Sequence, residues 1–210
     1  MFADRADAGR RLGAALARYR DQSPVILALP RGGVPVGLEV ARALSAPLDV
    51  IVVRKLGAPG HEELAVGAIA AGAAYVDWPI VRQLGVSQSY LEQVTAAEER
   101  ELERREQAYR QGRAALPVGG RTVILVDDGL ATGATLRAAI AALRQRHPAR
   151  LVVAVPVGAP ESVARLREAA DDVICLEQPP DFRAVSLTYR DFSATSDTEV
   201  VDCLEAARRS

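Results

Sequence analysis

Aliphatic residues arrive along this chain in short unbroken runs. Each run leads into small or turn-forming residues and then into a stretch with helical spacing. VILAL (25–29), LDVIVVRK (48–55), RTVILVDD (121–128) and RLVVAVPVG (150–158) do not alternate apolar with polar positions, so each predicts a strand covered on both faces. DVICL (172–176) predicts a shorter one. Ala8, Leu12, Ala15, Leu16 and Tyr19 share a helical face over 6–20 until Pro24 interrupts, and helices are also expected at 34–44, 134–146, 160–169 and from about Asp197. Repeated strand–loop–helix units predict an α/β fold, an open, mostly parallel twisted sheet flanked by helices.

Other stretches break the rhythm. PRGGVP (30–35) and LGAPGHEE (56–63) read as loops, since Gly and Pro punctuate both. LAVGAIAAGAAYVD (64–77) suggests a strand pair with a tight connection. Residues 87–112 open on a Ser N-cap candidate, carry Leu91, Val94 and Leu102 as their only large aliphatics, and are otherwise rich in Glu/Arg pairs at helical spacing. They predict one long, largely solvated helix: a plain charged surface, an arm or a dimer contact. The 210 residues fit a single domain, with a core at about 20–175, a helical insertion at about 87–113, and a small subdomain from about 177–210 to which 1–20 is a candidate addition.

Composition narrows the function classes. Hydrophobic residues make up 49% and charged residues 25%, ordinary for a soluble globular protein. With 26 Lys+Arg against 27 Asp+Glu the net charge is −1, so no global basic field points to nucleic acid or an anionic membrane. Arg104, Arg105, Arg110 and Arg113 leave a local opening for nucleic acid. No apolar run is long enough to span a bilayer and the first residues lack the apolar core of a secretory signal, so no membrane partner and a cytoplasmic location are expected. Cys175 and Cys203, without motif spacing, read as free, small, buried thiols of a reducing compartment.

The chemistry concentrates at VILVDDGLATGATL (123–136). In a parallel sheet, ligands bind beyond the carboxyl ends of the strands, where Asp127 and Asp128 fall. Adjacent carboxylates repel and are costly to bury, so they should face a polar crevice, where they can accept from paired sugar hydroxyls or hold a divalent cation. Gly129 and Gly133 permit close backbone approach, Thr132 and Thr135 bring hydroxyls, and a helix starts at once with its free N–H groups turned to the loop. Diol acceptors beside a phosphate-binding helix start describe a receptor for ribose 5-phosphate. No Gly-Lys-Thr is present, so this is not a P-loop.

VILVDDGLATGAT (123–135) resembles the diphosphate-sugar signature of the type I phosphoribosyltransferases, which bind 5-phosphoribosyl 1-diphosphate (PRPP). LPRGGVP (29–35) is similar to the family's pyrophosphate loop, and VVRKLGAPGHEELAVGA (52–68) to its mobile loop. PPDF and YRDF near the end extend the resemblance to a bacterial group described as predicted phosphoribosyltransferases. The resemblance implies a Rossmann-like core with a hood subdomain and, by the family habit, a homodimer. It also implies displacement of pyrophosphate from ribose C1 by a nucleobase or similar small nitrogen acceptor, with Mg²⁺.

Residue roles follow from the same resemblance. Asp127 and Asp128 would hold the ribose hydroxyls, stabilise positive charge on the ring and hold Mg²⁺ mainly through water. Gly129, Ala131, Thr132, Gly133, Ala134 and Thr135 would form the ribose and 5-phosphate site. Arg31, Gly32 and Gly33 would bind pyrophosphate on a loop that the family often builds with a non-proline cis peptide. Arg54 and Lys55 would reach the pyrophosphate or be a solvated pair; His61, Glu62 and Glu63 would be loop acids and bases or plain surface. Phe182, Tyr189 and Phe192 would grip the acceptor or pack the hood's own core, and Asp181 or Asp191 would read an amino group. Ala131 stands where 6-oxopurine enzymes carry a carboxylate, which counts against hypoxanthine and guanine and is closer to the adenine-type pattern. Two rival readings share the pocket: a PRPP-sensing regulator, and a hydrolase or phosphorylase of ribosyl phosphates.

Overall fold

Three of the aliphatic runs form adjacent strands at the centre of the protein. β1 (Val25–Ala28), β6 (Thr122–Val126) and β7 (Arg150–Val157) pair in parallel, with Ile26 opposite Ile124 and Ile124 opposite Val152. β2 (Leu48–Val50) and β8 (Asp172–Glu177) complete a parallel sheet in the order β2-β1-β6-β7-β8. The computed structural model describes residues 1–70 and 73–209, with the side chains of 61–63 outside the description.

The strands lack alternation because both sheet faces are covered. Ile26, Ile124 and Val152 point to one layer, with Leu12 of α1 (Arg5–Ala15) and Leu16 at its C-cap, Val34 and Val40 of α2 (Gly33–Leu44), and Val200 and Leu204 of α7 (Asp197–Arg209). Val25, Leu125 and Val153 point to the other, with Leu136 and Ile140 of α5 (Ala134–Arg144) and Val163 and Leu166 of α6 (Pro160–Arg167). A side chain such as Leu or Ile wholly withdrawn from water contributes about 1.5–3 kcal/mol, so this double layer fixes where the strand ends lie.

Two sequence expectations are corrected. The run 48–55 is not one strand. β2 ends at Val50, and after buried Ile51 and Val52 the chain leaves the parallel sheet to form β3 (Val53–Ala58). Both pieces are apolar enough to be covered, and nothing local marks the change of partner. The stretch 56–63 is not a loop either: β3 pairs antiparallel with β4 (His61–Ala70) through a bulge, and only Pro59 and Gly60, with φ 71° at Gly60, make the turn. β5 (Ala73–Val76) completes a three-stranded antiparallel sheet, as the 64–77 pattern suggests. The short α3 (Trp78–Leu84), capped by Asp77 on Ile80 N and closed by Gly85, is not foreshadowed by the pattern.

The charged stretch is α4 (Gln88–Arg110), and the Ser87 side chain does cap it, accepting from Tyr90 N. It is less solvated than expected. Leu91, Leu102, Tyr109 and Arg110 are buried where it lies along β3 and α7. Arg110 donates from Nε to both oxygens of buried Asp49, at 2.9 and 3.1 Å, and from its other nitrogens to Glu106 and the Val50 carbonyl. This buried cation ties the end of α4 to β2.

Cys175 and Cys203 are free and half-buried, and burial pushes their thiols up to about 12 and about 11. Among the described residues no helix is long and apolar enough to cross a membrane.

Candidate active site

β6 ends at Val126, and the chain crosses the sheet edge carrying Asp127 and Asp128 beyond it. Leu29, at the end of neighbouring β1, donates to the Val126 carbonyl at 2.9 Å, which sets the Pro30–Gly33 loop directly against the two acids. The Pro30–Arg31 peptide is cis, the geometry that the resemblance implies for this loop. Gly32 and Gly33 are there for space. A Cβ on Gly33 would stand 2.9 Å from the Val126 carbonyl, and one on Gly32 would stand 1.9 Å from Asp128 Oδ2.

The two acids have different surroundings. Asp127 Oδ1 accepts from the Asp128 amide at 2.9 Å, and the side chain borders a recess of about 180 Å³ with Gly129, Ala131, Thr132, Gly133, Ala134 and Thr135. Asp128 Oδ2 accepts from Arg5 Nε at 2.9 Å. Burial and the neighbouring carboxylate push Asp127 well above the usual carboxylate range. Burial also raises Asp128, while the Arg5 guanidinium pulls it back.

The far wall of the recess is the start of α5. Gly133 takes φ 77°, a left-handed conformation natural to Gly, and turns the chain into the helix. Among the described residues, the amides of Thr132, Gly133 and Thr135 meet no protein acceptor, whereas Leu130 N is satisfied by Val157 O and Ala134 N by Thr132 Oγ1 at 3.5 Å. Ser162 Oγ donates to the Ala131 carbonyl at 2.6 Å and braces the loop from α6. Asp127 and a set of free amides at a helix start thus face one opening, while Asp128 beside it is turned to Arg5, an arrangement suited to a phosphorylated polyol.

The other sequence candidates divide. Arg31 borders a cavity of about 690 Å³ that also reaches Thr135. Lys55 borders a crevice of about 480 Å³ between the antiparallel sheet and α5, again touching Ala134 and Thr135. Arg54 points elsewhere: its Nε donates to Glu98 of α4 at 2.5 Å. His61, Glu62 and Glu63 lie outside the described residues as far as their side chains go.

Phe182 borders a shallow recess beside Ala131 and Thr132. Tyr189 and Phe192 do not face the open cavity; they pack against each other at 5.0 Å, Tyr189 lies 5.4 Å from Phe2, and Tyr189 Oη donates to the Asp128 carbonyl at 2.6 Å. Both rings take part in the packing of the tail, where the N-terminal strip is bonded through Arg190 N to Phe2 O and Asp191 N to Ala3 O. Asp181 and Asp191 are exposed, and Asp191 accepts from Ser193.

Sequence reasoning missed Arg5, which also donates to Ser193 O at 2.6 Å and stacks 4.0 Å from the Phe192 ring centre. It missed Arg104, Arg105 and Tyr109 as cavity walls. An arginine pair on a helix was visible, but it read as exposed charge with an opening for nucleic acid rather than as a cavity wall.

A family profile described as the phosphoribosyl transferase domain matches residues 4–193. The chain is 46% identical over all 210 residues to a Mycobacterium tuberculosis protein (Rv0571c in strain H37Rv) that carries the provisional name phosphoribosyl transferase. It spans about half the length of the curated relatives it matches, 47% in this case. The crystal structure of TT1426 from Thermus thermophilus is 45% identical, superposes with a TM-score of 0.87, and covers 97% of each chain. The profile match over nearly the whole chain, with the acid pair and amide-lined loop inside it, makes this chain a member of the phosphoribosyl transferase family.

Proposed function

We propose that this chain is a phosphoribosyltransferase that moves the 5-phosphoribosyl group of PRPP to a nitrogen of a nucleobase or similar small acceptor and releases pyrophosphate. The observation that carries this reading is the shared opening of Asp127 and the free amides of Thr132, Gly133 and Thr135. The amides, with the Thr132 and Thr135 hydroxyls, would hold the 5-phosphate. Asp127 and Asp128 would accept from the ribose hydroxyls and stabilise positive charge as the bond at C1 breaks. Arg31, on the cis-peptide loop, would meet the departing pyrophosphate.

The residues present fit a divalent cation. Neither Asp127 Oδ2 nor Asp128 Oδ1 accepts a hydrogen bond among the described residues, so both remain open to a hydrated ion. The same residues contain no group of three or more His, Cys, Asp or Glu able to cage a metal, so oxygens of the substrate and water would complete the shell. Bound there, Mg²⁺ would neutralise charge growing on the leaving group.

The test is pyrophosphate release from PRPP and Mg²⁺ across a panel of bases, beside calorimetric titration of PRPP. Release with one base or a small set is expected. No detectable PRPP affinity in the wild-type protein overturns the reading.

A further inference from the structure

The 690 Å³ cavity is walled by the Pro30–Arg31 loop, by α4 through Arg104, Arg105 and Tyr109, and by the start of α7 through Asp197. A cavity of this size is typical of a small-molecule site. Its charge is uneven. Asp197 is the single acid on its wall among the described residues, and it is engaged by Tyr109 Oη at 2.7 Å. Arg31 makes no ion pair among the described residues.

Arg104 and Arg105 share one carboxylate, that of Glu101, at 2.8 Å each, so two guanidinium groups stand against a single negative charge. Their placement is held from behind. Arg110 is locked to Asp49 in the next turn and a half of α4, and Tyr109, four residues after Arg105, is tied to α7. Three arginines from two separate elements therefore line a space that also touches Thr135 of the phosphate loop, two of them with their guanidinium groups now resting on Glu101. Guanidinium forks match phosphate oxygens in geometry and charge, and a diphosphate is the polyanion that would project from ribose into this space.

We propose that α4 supplies Arg104 and Arg105 as diphosphate-binding residues that act with Arg31. The proposal rests on the reading of PRPP as substrate. It makes the long charged helix part of the site rather than a solvated arm, and it places the helix over the leaving group.

The experiment is calorimetric titration of inorganic diphosphate, PRPP and ribose 5-phosphate into four forms of the full chain. These are wild type, Arg104→Gln with Arg105→Gln, Arg105→Lys, and Arg100→Gln as a charge control on the same helix away from the cavity. The Gln pair is expected to lose roughly tenfold or more in affinity for diphosphate and PRPP while keeping its affinity for ribose 5-phosphate. Arg105→Lys, which keeps charge and helix but not the fork, is expected to lose less, and Arg100→Gln to match wild type. Wild-type binding of PRPP with unchanged diphosphate affinity in the Gln pair overturns this proposal and leaves the transferase reading intact. An equal loss for ribose 5-phosphate, or in Arg100→Gln, also overturns it, since the effect would then be a general field. Absence of PRPP binding in wild type fails the transferase reading itself.

Discussion

Arg5 Nε lies 2.9 Å from Asp128 Oδ2, so the first helix of the chain holds one of the two acids at the end of the sixth strand. Both side chains are largely buried, at 12% and 16% exposure, and the contact is therefore little screened by solvent. Burial raises Asp128 and Arg5 opposes the rise. Arg5→Gln is expected to move the acid limb of the pH profile for PRPP binding to higher pH, and Arg5→Lys to restore most of it. Titrating PRPP affinity from acid to neutral pH checks this, and an acid limb that stays in place rules out a positioning role for Arg5. The lost bond also costs about 1–3 kcal/mol of stability.

Asp127 carries a stability signature with a definite sign. Its folded-state pKa is raised above the unfolded value, by burial and by Asp128. The native state therefore holds the proton more tightly than the unfolded chain. The associated stability is fully present below the unfolded value of about 3.8 and is lost as pH rises through the folded one. Asp127→Asn keeps an oxygen for the Asp128 amide and removes the charge. Its melting temperature is expected to exceed wild type by a few degrees at neutral pH, with the gap closing in acid, while PRPP binding is lost. A lower melting point at neutral pH contradicts this account of a strained buried acid.

Gly32 leaves room for Asp128 rather than for an unusual backbone. A methyl group there would stand 1.9 Å from Asp128 Oδ2, closer than any real contact. Gly32→Ala must push the carboxylate or the loop aside. A loss of about tenfold or more in PRPP affinity is expected, with a stability cost of about 1–3 kcal/mol and an unchanged circular dichroism spectrum. Calorimetry beside a urea melt separates the two effects.

Arg110 anchors α4 through Asp49, Glu106 and the Val50 carbonyl. Arg110→Met leaves Asp49 buried without its cation, with only the Leu116 amide, among the described residues, donating from outside its own strand, and is expected to cost about 3–5 kcal/mol in urea unfolding. Adding Asp49→Leu should return part of that loss, because the uncompensated charge goes with it. A double variant no more stable than the single one would mean that packing, not charge, holds the helix end.

How far the chain could be read from its residues depends on how local each feature is. The buried runs at 25–29, 121–128 and 150–158 became the central strands because a strand covered on both faces shows itself in its own composition. The loop at 127–135 was legible for the same reason: acids, glycines and threonines act through their own backbone and the helix they start. The switch of partner after Val50 was not legible, because Ile51 and Val52 look alike to either sheet. The aromatic tail drew attention by composition, yet its use depended on Phe2, which lies 187 positions from Tyr189 and pairs with it only in the folded chain.

The sequence by itself determined the layered parallel core and the acid pair and helix-start loop at the end of β6, since hydrophobic period and turn chemistry act over a few residues. Only the tertiary structure decided that Arg5 would grip Asp128 across 123 positions, and that Arg104 and Arg105 would line one cavity with Arg31. Those meetings follow from the path of the chain around a packed core, and a path of that length leaves no periodic mark in the residues that it joins.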